Sequence, residues 1–334
     1  MKLIKYEGNP ILKPNPANEW ENFSVCNPGA WYENGVFYLL YRAAGDDKAH
    51  RISVGLAISR DGFHFERQSD EPVLAPSPHN FDAGCIEDPR IVKLGDTYYI
   101  TYACRPLPPG QYWLTNVKDP IYISVDEPDI GVTVNLTSSA LAATKDFRAY
   151  KKLGRMTRAD LDDRDVILFP EKVNGKYVRL SRPKEWSGEG YPCEYPAMWI
   201  SYSDNLLQWD DCRFFAKGGA DWEEKIGGSA PPIKTEKGWF MLYHAVGKDG
   251  LYRIGAMVLD LNNPERIIAR TKEPILEPTE SYEFEGLYHG CAFPTGNVVA
   301  DGTLYVYYGG ADHYCCVATA EFDKLLDFVL ENGK

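Results

Sequence analysis

Five stretches of this chain repeat one pattern: a tight turn, then an alternating strand rich in aromatic residues. They begin at Gly35, Asp96, Gly175, Gly238 and Gly302, spaced 61, 79, 63 and 64 residues apart. A short apolar strand precedes each turn, opening at Gly29, Pro89, Val166, Pro231 and Pro294. Every unit therefore starts with a β-hairpin, turned at Glu33-Asn34-Gly35, Gly95-Asp96, Asn174-Gly175, Glu236-Lys237-Gly238 or Asp301-Gly302. Asn-Gly and Asp-Gly pairs favour such turns because these residues tolerate the positive φ that a two-residue hairpin needs. A third strand follows in most units, at Ile52, Met198, Tyr252 and Cys316, and Pro-Ile/Val-Leu-x-Pro recurs at Pro10–Pro14, Pro72–Pro76 and Pro274–Pro278.

Sheets of three or four strands at this period fit an all-β fold, a five-bladed β-propeller, in which radial packing hides the sheet edges. A β-sandwich is the competing architecture, but it has no need of five like hairpins. Residues 1–334 then form a single domain with a large core and no need of staples. Only the tail after Glu321 has helical spacing of apolar residues, at Phe322, Leu325, Leu326 and Val329; an outer strand with a frayed end is an equal reading.

The charge balance narrows the partners. With 36 Lys and Arg against 48 Asp and Glu, the net charge is −12, which argues against nucleic acid or an anionic membrane, since both need a basic patch. Residues Met1–Pro10 lack the apolar core of a signal peptide, and no run approaches the roughly 20 apolar residues of a membrane span, so a cytoplasmic location is expected. Eight dispersed cysteines without CxxC or Cys/His ligand spacing read as buried thiols, with no metal site.

In an antiparallel hairpin the start of the first strand and the end of the second lie at the same end. Asn27, Glu87, Asp88, Arg164, Asp165 and Lys225 precede or enter first strands, and Arg42, Arg105, Arg182, His244 and Asp312 end or follow second strands. The repeat thus gathers carboxylates and cations at one mouth. Carboxylates beside a cationic pocket suit general acid catalysis on a glycosidic bond together with binding of an oxyanion, for which Arg supplies a bidentate fork. Channel-lining salt bridges are the structural alternative.

The order of Asn9-Pro10-Ile11-Leu12, Asn27-Pro28-Gly29-Ala30, Glu87-Asp88-Pro89-Arg90, Asp165-Val166-Ile167-Leu168-Phe169-Pro170, Lys225-Ile226-Gly227-Gly228 and Tyr307-Tyr308-Gly309-Gly310-Ala311-Asp312 resembles glycoside hydrolase family 130, the β-mannoside phosphorylases and related β-mannosidases. The resemblance implies a propeller enzyme that cleaves β-linked mannosides with inorganic phosphate and inverts the anomeric centre, giving α-mannose 1-phosphate. Phosphate is then a co-substrate and no cofactor is needed. It implies Asp88 as the catalytic acid, acting through the mannose 3-hydroxyl, and Arg164, Arg182, Lys225 and His244 as the phosphate-binding set. Asn27, Arg42, Arg90 and Asp312 are implied for the sugar side. Ser181 stands where the phosphorylases usually carry His.

Two other functions remain open at this level: an inverting β-mannosidase with a base such as Glu189 or Glu194, and a non-catalytic carbohydrate-binding propeller. A homo-oligomer is also compatible. The second repeat is the longest. Its excess, at about 105–143, is expected near the active-site face, with Tyr112, Trp113 and Tyr122 placed to stack on a sugar or to pack on the adjoining unit.

Overall fold

The sequence alternation resolves into strands joined almost wholly by antiparallel pairing. The computed structural model describes residues 1–111, 113 and 135–333. The first unit pairs β2 (Ser24–Glu33), β3 (Val36–Ala44), β4 (Ile52–Ser59) and β5 (Glu66–Arg67) in sequence order, while β1 (Ile4–Lys5) lies elsewhere. The second pairs β6 (Cys85–Leu94), β7 (Thr97–Arg105), β8 (Ser138–Thr144) and β9 (Lys151–Arg155). A single parallel pair, Ile52 with Cys85, joins these two into one eight-stranded sheet. The third unit is β10 (Asp163–Leu168), β11 (Tyr177–Pro183), β12 (Met198–Ser203) and β13 (Arg213–Ala216).

In the fourth, β14 (Lys225–Gly228) and β15 (Ile233–Thr235) share one partner, β16 (Gly238–Val246), followed by β17 (Tyr252–Leu259) and β18 (Ile267–Arg270). The fifth joins β19 (Ala292–Ala300), β20 (Thr303–Gly310) and β21 (Tyr314–Glu321), and β1 returns to complete it beside β21. The first strands touch in turn: β19 packs against β2, β2 against β6, β6 against β10 and β10 against β14, while β16 and β17 meet β19.

Each of the five turns read from the sequence is a two-residue turn, closed by the pairs Glu33–Val36, Leu94–Thr97, Val173–Lys176, Thr235–Gly238 and Ala300–Thr303. The tail forms helix α1 (Phe322–Asn332), and the four apolar residues at helical spacing are the ones it buries. The outer-strand alternative for the tail is thereby corrected, since β1 fills that place. Residues 138–143, read as the end of the long insertion, belong to β8. Tyr112 and Tyr122 lie outside the described residues, whereas Trp113 stacks on Phe23 at 4.5 Å between ring centroids. All eight cysteines are free thiols and seven are buried. Among the described residues no helix is long and apolar enough to cross a membrane.

Two sequence features recur, one that braces the individual units and one that sets how they meet. In four of the five, the second strand places a buried Tyr whose hydroxyl, cut off from water, needs a partner. Each finds a buried carboxylate that also holds a cation: Tyr41 with Glu21 and Arg67, Tyr102 with Asp82 and Lys152, Tyr243 with Glu223 and Arg270, Tyr308 with Glu283 and Lys5. In the third unit that strand carries Ser181 instead, and the large ring sits opposite, on Trp199. The first strands also approach backbone to backbone. A Cβ on Gly29 would stand 2.4 Å from the Pro89 carbonyl oxygen, and one on Gly296 would stand 2.5 Å from that of Pro28.

Gly29→Ala therefore forces two strands apart against a backbone that cannot yield as a side chain does. The expected loss is about 2–3 kcal/mol of stability, read as a lower denaturant midpoint; an unchanged midpoint would show that the strands separate freely.

Candidate active site

The first strands do not run straight into the mouth. On β2 the residues Asn27 and Pro28 together oppose one residue of β3, on β6 Asp88 and Pro89 do the same, and on β10 Asp165 and Val166. Such a bulge adds one residue and re-aims the side chain it carries. The leading residue of each has left-handed backbone: Asn27 at φ 47°, Asp88 at φ 55° and Asp165 at φ 58°. Asn and Asp are the non-glycine residues that bear this conformation most readily. Sequence position thus brings three polar side chains to one level. Asp312, at φ 53° in the turn between β20 and β21, joins them.

These residues border a cavity together with Arg42, Glu87, Arg105, Pro109, Arg164 and Arg182, and with an aromatic wall of Tyr252, Tyr288 and Phe293. Six of the nine site residues expected from the sequence line it: Asn27, Arg42, Asp88, Arg164, Arg182 and Asp312. Asp88 Oδ1 accepts a hydrogen bond from Asn27 Nδ2 at 2.8 Å and one from Arg42 Nη1 at 3.2 Å. Its Oδ2 has no protein partner among the described residues. Burial raises the Asp312 carboxyl above its ordinary value against the pull of Arg42, and Asp88 and Glu87 add to the rise.

Glu87 sits beside Arg42 at 3.2 Å and Arg105 at 3.5 Å. Burial would raise its carboxyl, but Arg42, then Arg105 and Arg164, outweigh that and hold it below the usual range. Arg164 is gripped through Nε and Nη2 by Asp162, at 2.8 and 2.6 Å, and Nη2 also donates to Thr137 at 2.7 Å. That leaves Nη1 as the guanidinium nitrogen without a protein partner among the described residues. Lys225 is not itself a lining residue, but its Nζ donates to the hydroxyl of Tyr252, which is, at 3.0 Å.

Two expected ligands are displaced. Arg90 does not border the cavity: it is 2% exposed, and its guanidinium donates to the carbonyls of Ser229 at 2.6 Å and Asp88 at 3.0 Å. His244 is wholly buried behind the wall, its ring 4.5 Å from that of Phe293 and its Nε2 3.3 Å from Asp165 Oδ2. Burial lowers its pKa to about 4, so the imidazole is neutral at working pH. Neither side chain lines the cavity, because strands carry alternate side chains to opposite faces. Glu189 and Glu194 do not line the cavity; Glu194 faces a separate pocket with Tyr195, Lys217 and Glu224.

The reading by repeat missed Tyr252, Tyr288 and Phe293. Tyr252 had a signal, since it opens its third strand as Ile52 does and makes the matching parallel bridge, to Cys291. Tyr288 lies outside the strands, in the connection that leads into β19. Pro109, near the start of the long insertion, lines the cavity.

The sequence model of glycoside hydrolase family 130, described as beta-1,4-mannooligosaccharide phosphorylase, matches residues 5–119 and 107–331. The chain is 39% identical over 333 residues to the 1,2-beta-oligomannan phosphorylase of Thermoanaerobacter sp. (strain X514), spanning 97% of this chain and 99% of that protein. It is 34% identical over 337 residues to the beta-1,2-mannobiose phosphorylase of the same organism, with the same coverage. Among solved structures it is similar to the Listeria innocua beta-1,2-mannobiose phosphorylase in complex with beta-1,2-mannobiose, at a TM-score of 0.78 and 27% identity over 98% of this chain and 99% of that one.

One cation at the cavity titrates near working pH. Burial, and then Arg182, lower the pKa of Lys225 to about 8, so its charge is present below that pH and lost above it. Sulfate is dianionic throughout and isolates the protein's own titration. Its affinity, read from sulfate-dependent rises in unfolding temperature, is expected to fall several-fold between pH 7 and pH 9, and Lys225→Arg to flatten the profile. A flat wild-type profile would place Lys225 outside the anion site.

Proposed function

Because the chain belongs to glycoside hydrolase family 130, we propose that it is an inverting β-mannoside phosphorylase. Inorganic phosphate attacks the anomeric carbon, the C1–O bond to the leaving sugar breaks, and the products are α-mannose 1-phosphate and the shortened sugar. The observation that carries this reading is the division of the cavity. Asp88 comes from the second unit beside Asn27 and Arg42 of the first, whereas Arg164 and Arg182 come from the third and Lys225 from the fourth. An acid supplied by one unit and an arginine–lysine group supplied by two others suit a displacement in which nucleophile and leaving group occupy opposite faces of the sugar.

Asp88 supplies the proton taken up by the departing oxygen, by way of the mannose 3-hydroxyl. Asn27, Arg42 and Asp312 hold the mannosyl unit, and the aromatic wall of Tyr252, Tyr288 and Phe293 closes the pocket. Arg164 Nη1, Arg182 and Lys225 bind phosphate and offset charge in the transition state, already oriented by their protein partners before the reaction begins. Arg90 and His244 act from behind. Phosphate is the co-substrate. Among the described residues the carboxylates lining the cavity are Glu87, Asp88, Asp165 and Asp312, and the retained set of Arg164, Arg182 and Lys225 favours phosphorolysis over hydrolysis.

The five antiparallel units, with first strands in contact in turn and β19 meeting β2, support reading the fold as a five-bladed β-propeller with the cavity on its axis. The names of the similar proteins favour a β-1,2-linked mannoside as the substrate.

Product analysis with β-1,2- and β-1,4-mannobiose, each with and without phosphate, tests the proposal. The expected result is α-mannose 1-phosphate formed only with phosphate and faster from the β-1,2 sugar. Free mannose released at equal rates in both conditions would overturn phosphorolysis. Asp88→Asn is expected to reduce kcat by about 10³-fold, the scale of a lost general acid, while the circular dichroism spectrum stays that of the wild type.

A further inference from the structure

Asp165 is out of place in an anion pocket. It is a buried carboxylate on the side of the cavity that holds Arg164, Arg182 and Lys225, where its charge opposes the ligand those cations attract. Its contacts account for it. Oδ2 accepts a hydrogen bond from Arg182 Nε at 2.5 Å and lies 3.3 Å from His244 Nε2. Oδ1 accepts one from Arg90 Nη2 at 3.3 Å, and Arg90 Nη1 donates in turn to the Asp88 carbonyl at 3.0 Å. One carboxylate thus connects the third unit, through an arginine of the second, to the backbone of the acid. The carboxylate is also boxed in: a Cβ on Gly227 would stand 2.6 Å from Asp165 Oδ2 and 2.5 Å from His244 Cε1. Burial would raise its carboxyl, but the guanidinium groups of Arg182 and Arg90 hold it well below the ordinary value, so it is charged throughout.

We propose that Asp165 is a positioning residue: it fixes the Arg182 guanidinium by its Nε edge, leaves the outer nitrogens for the anion, and through Arg90 ties that guanidinium to Asp88. Anion site and acid are then held at one separation. The inference rests on the phosphorylase reading of the cavity. It differs in sign from simple electrostatics, because deleting a negative charge beside an anion site should tighten binding, whereas releasing Arg182 should weaken it.

The test is Asp165→Asn, close to isosteric and neutral, with phosphate and mannoside varied separately. The positioning role predicts a phosphate KM raised by about tenfold or more and a lowered kcat, with the mannoside KM within about threefold of wild type. An unchanged or lower phosphate KM with kcat intact would overturn it. Should Asp165→Asn fail to fold, Arg182→Lys keeps the charge and loses the Nε bond on a residue that faces the cavity. A phosphate KM there within about threefold of wild type would equally overturn the proposal. Wild-type turnover that ignores phosphate would sink the phosphorylase reading alone. The sulfate-dependent rise in unfolding temperature then decides Asp165 without turnover: its loss in the variant supports positioning, and its persistence refutes it.

Discussion

The site depends on a single extra residue, inserted three times. At the bulges led by Asn27, Asp88 and Asp165 a first strand must fit two residues against one of its neighbour. Left-handed backbone at each costs of order 1–3 kcal/mol in a residue other than glycine. A regular strand at the same place would alternate its side chains between the two faces of the sheet, with none aimed along the mouth. The glycines after the first bulge and within the last first strand let neighbouring backbones close to contact, so the bulged residues of successive units converge. Fold and site therefore rest on the same local distortion.

Convergence brings a second requirement. Carboxylates and guanidinium groups that meet in a mostly dehydrated space cost more to bury than their pairing returns unless every nitrogen and oxygen is well placed. Here the cations are held by protein partners: Arg164 by Asp162 and Thr137, Arg182 by Asp165, Arg42 by Glu87 and Asp88. The four Tyr–carboxylate–cation sets farther out follow the same rule, each satisfying a hydroxyl and an ion pair at once. Rigidity of this kind suits a reaction in which the protein's main contribution is a fixed arrangement of charge.

How much of this was legible in the sequence follows from what each feature leaves as a trace. Hairpins turned by Asn-Gly or Asp-Gly and filled with aromatic residues are readable because turn chemistry and alternation are local. The tail helix was readable as one of two options, since four apolar residues share one face. Strand β8, Ser-Ser-Ala-Leu-Ala-Ala-Thr, was not: its small residues lack the aromatic signature, and a long insertion separates it from its hairpin. The membership of β1 in the fifth unit is a pairing between distant segments and leaves no local mark. Position before or after a strand brought most of the mouth residues to the cavity, but it could not tell which face His244 occupies, and Arg90 follows a one-residue bulge, which inverts the alternation on which such a reading depends. Ser181, noted only as a departure, turned out to have passed its bulk across to Trp199.

The fifth unit is sewn from segments far apart in sequence: Ile4 pairs with Thr319, and Lys5 reaches Glu283 across 278 residues of sequence. The entropy of joining such distant segments grows only logarithmically with the intervening length, so the completed sheet loses little by it at equilibrium. The effect falls on the order of events. While the chain is being synthesised, β2 to β18 can find their partners among neighbours already made, whereas β1 emerges early and waits unpaired until β21 follows it. The last sheet to be assembled is thus the one that also carries Asp312 into the cavity, so the cavity lining is finished only as β1 and β21 meet.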